Sequence, residues 1–354
     1  MKRTRVLHVG IDLGTSRSVI SADNGMRSFV SSYVGFPKDA VSRKMFGKKQ
    51  IVFGDEAIKH RLALELHKPF DKGRLKYSES KGQKPEEFEK AKRVAKELLK
   101  HVISLTTEEE ETENLMVRGV VGAPALASTK NKKTLLEIAD GVLHDAMIVS
   151  EPFAVAYGLK LFASALIIDI GAGTVDLCRM AGTIPTAEDQ ITTMKAGDHI
   201  DGVFLELIKK KYPAAEFTLA MVKRFKEENS SISKVGEHVF IELPVDGKPT
   251  NHDVTEELRE ACRAVVPDIV EGVRKLVAAF DPEFQRGLKR NVVLAGGGSQ
   301  IVGLRKAIED HMKEELGYGR VTQVEEPLYA GANGALMLSK DMPDEYWDEL
   351  KSKK

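Results

Sequence analysis

Apolar positions along this chain come in two textures: short continuous runs that end in glycine-containing turns, and longer stretches with apolar residues three and four apart. Val6-Leu7-His8-Val9-Gly10-Ile11 runs into Asp12-Leu13-Gly14-Thr15-Ser16-Arg17-Ser18, and Ala165-Leu166-Ile167-Ile168 runs into Asp169-Ile170-Gly171-Ala172-Gly173-Thr174-Val175-Asp176. Each reads as a buried strand entering a tight turn whose glycines let backbone N–H groups approach an anion. Two such units predict two related lobes closing on one polyphosphate, with each aspartate facing a metal. A third run, Asn291-Val292-Val293, enters Leu294-Ala295-Gly296-Gly297-Gly298-Ser299, with a helix expected from Ile301. Three consecutive glycines clear one face of side chains, which suits a flat ring lying on the backbone.

The helical texture is clearest over 85–105, where Phe88, Ala91, Ala95, Leu98, Leu99 and Val102 share a face. Pro85 fits its first turn, and Glu86, Glu87 and Glu89 suit its positive end. The stretch 115–125 reads as a strand ending in a Gly-Ala-Pro turn, and a helix capped by Ser128 is expected over 128–145. A short strand, 146–149, then leads to Ser150-Glu151-Pro152-Phe153, where proline places Glu151 at a helix N-terminus. Strand, crossover helix and strand in succession predict an α/β lobe with a mixed or parallel sheet. Residues 33–82 are broken by charge and read as a small inserted subdomain. A second insertion is expected over 197–262, with helices at 201–211 and 218–229, a strand at 238–243, and a helical return over 253–280. The predicted lobes are 1–165 with 331–354, and 166–330; no structureless linker separates them, so a hinge is expected rather than a tether.

Composition narrows the setting. Lys and Arg number 53, as do Asp and Glu, so the net charge is zero and exerts no global pull toward nucleic acid or an anionic membrane. Cys178 and Cys262, the only cysteines, form no disulfide framework and no metal spacing, which fits a reducing compartment; Cys178 reads as a small core residue. No apolar run approaches the roughly 20 residues that span a bilayer, and no secretory signal follows the basic start, so a soluble cytoplasmic protein is expected. The Glu108–Glu111 run reads as a solvated loop, and Trp347 as a core anchor.

These motifs together resemble the actin-like ATPase superfamily, which also holds sugar kinases and the seventy-kilodalton heat-shock chaperones. Asp12 to Ser18 is similar to its first phosphate motif, Gly119 to Ala125 to its first connecting motif, and Asp169 to Asp176 to its second phosphate motif. Gly296 to Ser299 resembles the adenosine motif and Gly331-Ala332-Asn333-Gly334-Ala335 the second connecting motif; all five occur in family order from end to end. The compact length and Ser150-Glu151-Pro152 resemble the bacterial actins. Gly35-Phe36-Pro37-Lys38-Asp39, Val149 to Phe153 and Asp344-Glu345-Tyr346-Trp347 are most similar to their magnetosome-organising branch, with the cell-shape branch next. The resemblance implies a two-lobe, ribonuclease H-like α/β fold with four subdomains and a central nucleotide cleft. It further implies ATP or ADP with Mg²⁺, head-to-tail cytoplasmic filaments, and magnetosome-associated or cytoskeletal partner proteins. Arg17 departs from the usual smaller residue, and either a phosphate contact or a solvent position is open to it.

Asp12 and Asp169 are expected to hold Mg²⁺ through water, since a hard cation that dehydrates reluctantly needs few direct carboxylates; the alternative for each is turn capping. Thr15, Ser16, Gly171, Gly173 and Thr174 are expected to supply donors to the β- and γ-phosphates, with Gly14 and Ala172 in the same turns. By resemblance, Glu151 orients the attacking water; otherwise it satisfies its helix end. Also by resemblance, Lys226 and Glu227 pack around adenosine with Gly197, Asp198, Gly296, Gly297, Gly298 and Ser299, against the alternative of a solvated charged helix. A small-molecule kinase would need a base aimed at an acceptor hydroxyl, and no acid is conspicuously placed for one. A chaperone would need an appended substrate domain.

Overall fold

The computed structural model describes residues 5–78, 85–107, 115–233 and 238–352; the Glu108–Glu111 run lies outside them. The chain forms two compact units, one reaching Phe162 and resuming at Leu328, the other Ala163–Pro327. In the first, β1 (Arg5–Leu13), β2 (Arg17–Ala22) and β3 (Arg27–Ser31) form an antiparallel meander. The chain then leaves this sheet. β4 (Val34–Pro37), α1 (Ala40–Phe46), β5 (Val52–Phe53), α2 (Gly54–Lys59) and β6 (Leu64–His67) build a separate three-stranded sheet, and β7 (Phe70–Asp71) pairs with β8 (Arg74–Leu75). Asp39 caps α1 reciprocally with Ser42, the exchange that satisfies two otherwise orphaned donors.

α3 (Pro85–Ser104) buries Ala91, Val94, Ala95, Leu98, Leu99, Val102 and Ile103, the apolar stripe that its spacing dictates. It leads to β9 (Leu115–Ala123), α4 (Thr129–Ala139), β10 (Asp145–Ser150) and α5 (Glu151–Gly158). β9 and β10 join β1 in parallel, giving the order β10-β9-β1-β2-β3. Ser128 caps α4 as expected, but the helix stops at Ala139 rather than 145. Gly141, at φ +70°, turns the chain there, and the left-handed conformation ends a helix.

The second unit repeats the plan. β11 (Ala163–Ile170), β12 (Val175–Ala181) and β13 (Gln190–Thr193) form its meander. An excursion follows through α6 (Gly197–Lys211), α7 (Leu219–Asn229), β14 (Phe240–Val245), β15 (Lys248–Asp253), α8 (Thr255–Arg263), α9 (Val266–Ala278) and α10 (Pro282–Arg290). β16 (Val292–Ala295), α11 (Leu304–Leu316) and β17 (Val321–Gln323) complete it, with order β13-β12-β11-β16-β17. Both sheets are therefore an antiparallel triple joined through its first strand to a parallel pair. β15 is polar throughout and gave no period-two signal; it is held in place by a hairpin whose Asp246 and Gly247 have φ +48° and +72°, the twist-matched geometry of a two-residue turn. α11 begins at Leu304, not 301, because Gly303 sits at φ +84° just before it.

The chain returns to the first unit for α12 (Ala330–Asp341) and α13 (Asp344–Ser352). α12 lies in backbone contact with β1 and α5: a Cβ on Gly10 would stand 2.0 Å from Ala332 O, and one on Gly334 1.8 Å from Ala154 O. Trp347 of α13 is fully buried with Val120, Ala154 and Ala335. Arg118 stacks 5.8 Å above its ring, bonds Asp145 Oδ2 through Nε at 3.1 Å, and pairs with Asp344. Cys178 and Cys262 are buried, and burial pushes their thiols up to about 12 and about 11. Among the described residues, no helix is long and apolar enough to cross a membrane.

Two outcomes follow from this packing. Gly334→Val forces α12 off α5 and should cost roughly 3 kcal/mol or more, since neither backbone can yield; urea unfolding midpoints at constant slope measure it. His101 stacks 4.1 Å from Phe53, and burial holds its imidazole below the ordinary 6.5. The unfolded chain therefore takes up the proton first, so stability is intact above about pH 6.5 and declines as pH falls through the folded value. His101→Phe, which keeps the stack, should flatten the slope of thermal midpoint against pH between 7 and 5.

Candidate active site

Parallel register gathers the first unit's chemistry at one end of its sheet. Asp12 lies opposite Gly122, and Ser150 opposite Ala123, so β1, β9 and β10 end together and α5 starts beside them. Glu151, at the first position of α5 with proline following, extends its side chain over Gly122: a Cβ there would stand 3.0 Å from Glu151 Cγ and 3.9 Å from Oε1. Asp12 and Glu151 thus share the carboxyl end of a parallel sheet, where open α/β folds place ligands. Gly331, at the start of α12, lies beside Asp12: a Cβ there would stand in van der Waals contact, 3.9 Å from Oδ2.

The turn after Asp12 is held from several sides. A Cβ on Gly14 would lie 2.5 Å from Arg17 O, so only glycine permits the turn. Gly14 O accepts from Ser32 Oγ at 2.8 Å and Ser16 O from Ser32 N at 2.9 Å. Thr15 is buried, and its Oγ1 accepts the Gly73 N–H at 2.9 Å, which ties the turn to the β7–β8 hairpin. Arg17, left open by the sequence, places its guanidinium 5.8 Å above the Phe29 ring.

In the second unit Asp169 is buried at the end of β11, directly opposite Asp176 on β12 and Ala295 on β16. Asp176 accepts from Thr192 Oγ1 at 2.6 Å. The turn after Asp169 is strapped to the start of α6. Gly171 N donates to Thr174 O at 2.9 Å, Gly197 N to Gly171 O at 3.1 Å, and Asp198 N to Ala172 O at 2.7 Å. The N–H groups of Gly171, Gly197 and Asp198 are therefore spent within the protein. Ala172, Gly173 and Thr174 carry the N–H groups that these contacts leave over.

The triple glycine holds its loop close against β11. Gly296 has φ +78°, and a Cβ on it would stand 2.2 Å from Asp169 Oδ1; one on Gly298 would stand 2.4 Å from Ile170 Cγ2. These two glycines let the loop close onto the end of β11. Gly297 opens the short 3-10 turn Gly297–Gln300. Ser299 is buried and turns its hydroxyl into its own loop, donating to Gly296 O at 2.8 Å.

Lys226, on α7, is not a solvated lysine. It is buried, its Nζ donates to Gly197 O at 3.0 Å, and it pairs with Asp201 Oδ1 at 2.6 Å. One turn back, Lys223 pairs with Asp198 at 3.9 Å. Burial, opposed by Lys226, raises the Asp201 carboxyl above its ordinary range. Glu227 stands exposed on the same helix. Sequence reasoning passed over Asp201, although its spacing from Asp198 puts both on one face of α6; it also quoted Gly122, Gly331 and Asp176 without giving them roles.

Among the described residues, no group of three or more His, Cys, Asp or Glu side chains converges as a metal site. Single carboxylates at two strand ends match Mg²⁺, a cation that keeps its water and takes most remaining ligands from phosphate oxygens. Asp12 stands at such a strand end in the first unit and Asp169 at one in the second.

Comparison with known proteins matches this architecture. The MreB/Mbl protein family model covers residues 90–345. The actin-like protein MamK of Magnetospirillum gryphiswaldense is 39% identical over 344 residues, 97% of this chain and 92% of that one. A MamK double helical filament structure superposes with a TM-score of 0.88 at 36% identity, covering 96% of this chain and all of the other. A non-polymerising MamK mutant bound to AMPPNP gives 0.70 at 36% identity over the same share. With five motifs in order, two sheets of one topology and a family match over most of its length, the chain belongs to the MreB/Mbl family of actin-like proteins.

Proposed function

We propose that this protein is a bacterial actin that binds ATP with Mg²⁺, hydrolyses it to ADP and phosphate, and polymerises head to tail into cytoplasmic filaments that position magnetosomes. One observation carries the reading: the same strand, aspartate and glycine turn stands at the same place in two sheets of identical order, in a chain that shares 36% of its sequence with a filament-forming relative. The AMPPNP bound to a second relative supports an adenine nucleotide as the ligand. The working lobes are taken as 1–165 with 331–354, and 166–330. A repeated heterologous contact generates an open filament rather than a closed ring.

In this reading, Ser16 and Thr15 with the first turn, and Ala172, Gly173 and Thr174 with the second, bind the β- and γ-phosphates. Their donors are fixed before the nucleotide arrives, because each turn is already bonded to neighbouring elements, and donors that need no rearrangement stabilise developing charge most effectively. Mg²⁺, when bound, neutralises charge on the phosphates and so favours phosphoryl transfer. Asp12 and Asp169 are the carboxylates that would hold it through water. Glu151, rigid at the first turn of α5, accepts a hydrogen bond from the attacking water and aligns it.

Glu151→Ala should lower phosphate release by about a hundredfold while ATP affinity stays within a few-fold of the parent, as expected for a group acting on the water alone. Single-turnover phosphate release with parallel equilibrium titration measures both; hydrolysis at the parental rate would remove Glu151 from the mechanism. Pelleting and light scattering should show polymer with ATP and Mg²⁺ but none without nucleotide. A strictly monomeric protein whose hydrolysis rises when a sugar or other acceptor is added would instead make it a kinase.

A further inference from the structure

We infer that Ser32, backed by Ser18, is a positioning residue for the first aspartate-led turn: it holds the Gly14–Thr15 peptide so that the Thr15 N–H is presented to the phosphates of the proposed nucleotide. The inference rests on the ATP reading and deepens it at one donor. Ser32, the residue after β3, belongs to none of the five motifs. Its backbone N–H donates to Ser16 O at 2.9 Å and its hydroxyl to Gly14 O at 2.8 Å. One residue thus grips the carbonyls on either side of Thr15.

A trans peptide unit is planar, and its C=O and N–H point in opposite directions. With the Gly14 C=O turned toward Ser32, the Thr15 N–H of the same peptide is turned away from it. The hydroxyl contacts have only one sense. Ser32 carries a single hydroxyl proton, which goes to Gly14 O, so Ser18 is the donor in its 3.0 Å contact with Ser32 Oγ. Ser18, Ser32 and Gly14 O therefore form a directed chain, and both serines are fully buried, where such chains strengthen their members. Ser32 is itself held from behind. Ser31 Oγ donates to Asp55 Oδ1 at 2.6 Å, Tyr33 O accepts from Gly54 N at 2.9 Å, and β2–β3 pairing sets Ser31 opposite Arg17. The clasp is fixed by α2 and β2 independently of the peptide it orients.

Ser32→Ala keeps the main-chain bond to Ser16 and removes the hydroxyl bond to Gly14. It should weaken ATP binding and slow phosphate release by about tenfold, the scale of one hydrogen bond. Adenosine, which lacks phosphates, should bind the variant within twofold of the parent. Ser18→Ala leaves the Gly14 bond in place and should cost about threefold in ATP affinity. The double variant should be no worse than Ser32→Ala alone, because the two hydroxyls act in series. If Ser32→Ala does not fold, Ser32→Cys, whose thiol is a weak donor, should lose about threefold in ATP affinity with adenosine binding again unchanged. Parental ATP affinity and hydrolysis in Ser32→Ala, equal losses of adenosine and ATP affinity, or losses that multiply in the double variant would each overturn the inference. Parental protein that binds no ATP would instead overturn the functional reading beneath it.

Discussion

Parallel pairing between strands fixes where chemistry can occur in this protein. β1 with β9, and β11 with β16, are locked in a register that sets Asp12 against Gly122 and Asp169 against Ala295. A slip of one residue would send every side chain of these buried strands to the opposite face, where a different set of neighbours is packed. The loops that leave them are consequently held at fixed points, and each carries its aspartate with it. The same constraint, met twice with the same strand order, gives the fold its internal repetition.

Glycine enforces the second layer of precision. At Gly10 and Gly334 it lets α12 lie on the backbones of β1 and α5, and at Gly296 it lets one loop settle against the Asp169 carboxylate. None of these contacts has slack for a methyl group, so the elements carrying the motifs are held by main-chain contact rather than by adjustable side chains. Dense interiors transmit such constraints with little loss. Among the described residues, buried Arg118 and Lys226 each have carboxylate partners. Arg118 joins Asp145, Asp344 and the Trp347 ring, anchoring the C-terminal helix, while Lys226 joins α7 to the start of α6.

The two aspartate-led glycine turns are built differently despite their shared pattern. The first is braced by Ser32 and by the Gly73 N–H on Thr15. The second is braced by a helix N-terminus, which spends its first two N–H groups on the turn's carbonyls. A helix start ordinarily offers those groups to an anion; here they hold the neighbouring turn, and Gly171, Gly197 and Asp198 contribute framework.

Hydrophobic period, turn residues and the order of five motifs were enough to determine the α/β class, the two related halves, the helix of Pro85–Ser104, the start of α5 at Glu151 and the aspartates at the strand ends. These are local properties, written in spacing within a few residues. Tertiary structure alone decided what the sequence could not rank. Whether Lys226 is solvated or buried was not legible in its charged helix, and it is a buried partner of Asp201 because α7 packs its inner face on α6. The triple glycine looked like a platform for a flat ring, and two of its members proved to serve close approach to β11. Helix limits at Ala139 and Leu304 followed from left-handed glycines whose conformation the surrounding chain selects. Polar β15 became a strand only through its hairpin partner. In each case the deciding partner lies elsewhere in the chain or depends on its packing, and no local pattern encodes which of two chemically reasonable neighbours the folded backbone will bring near.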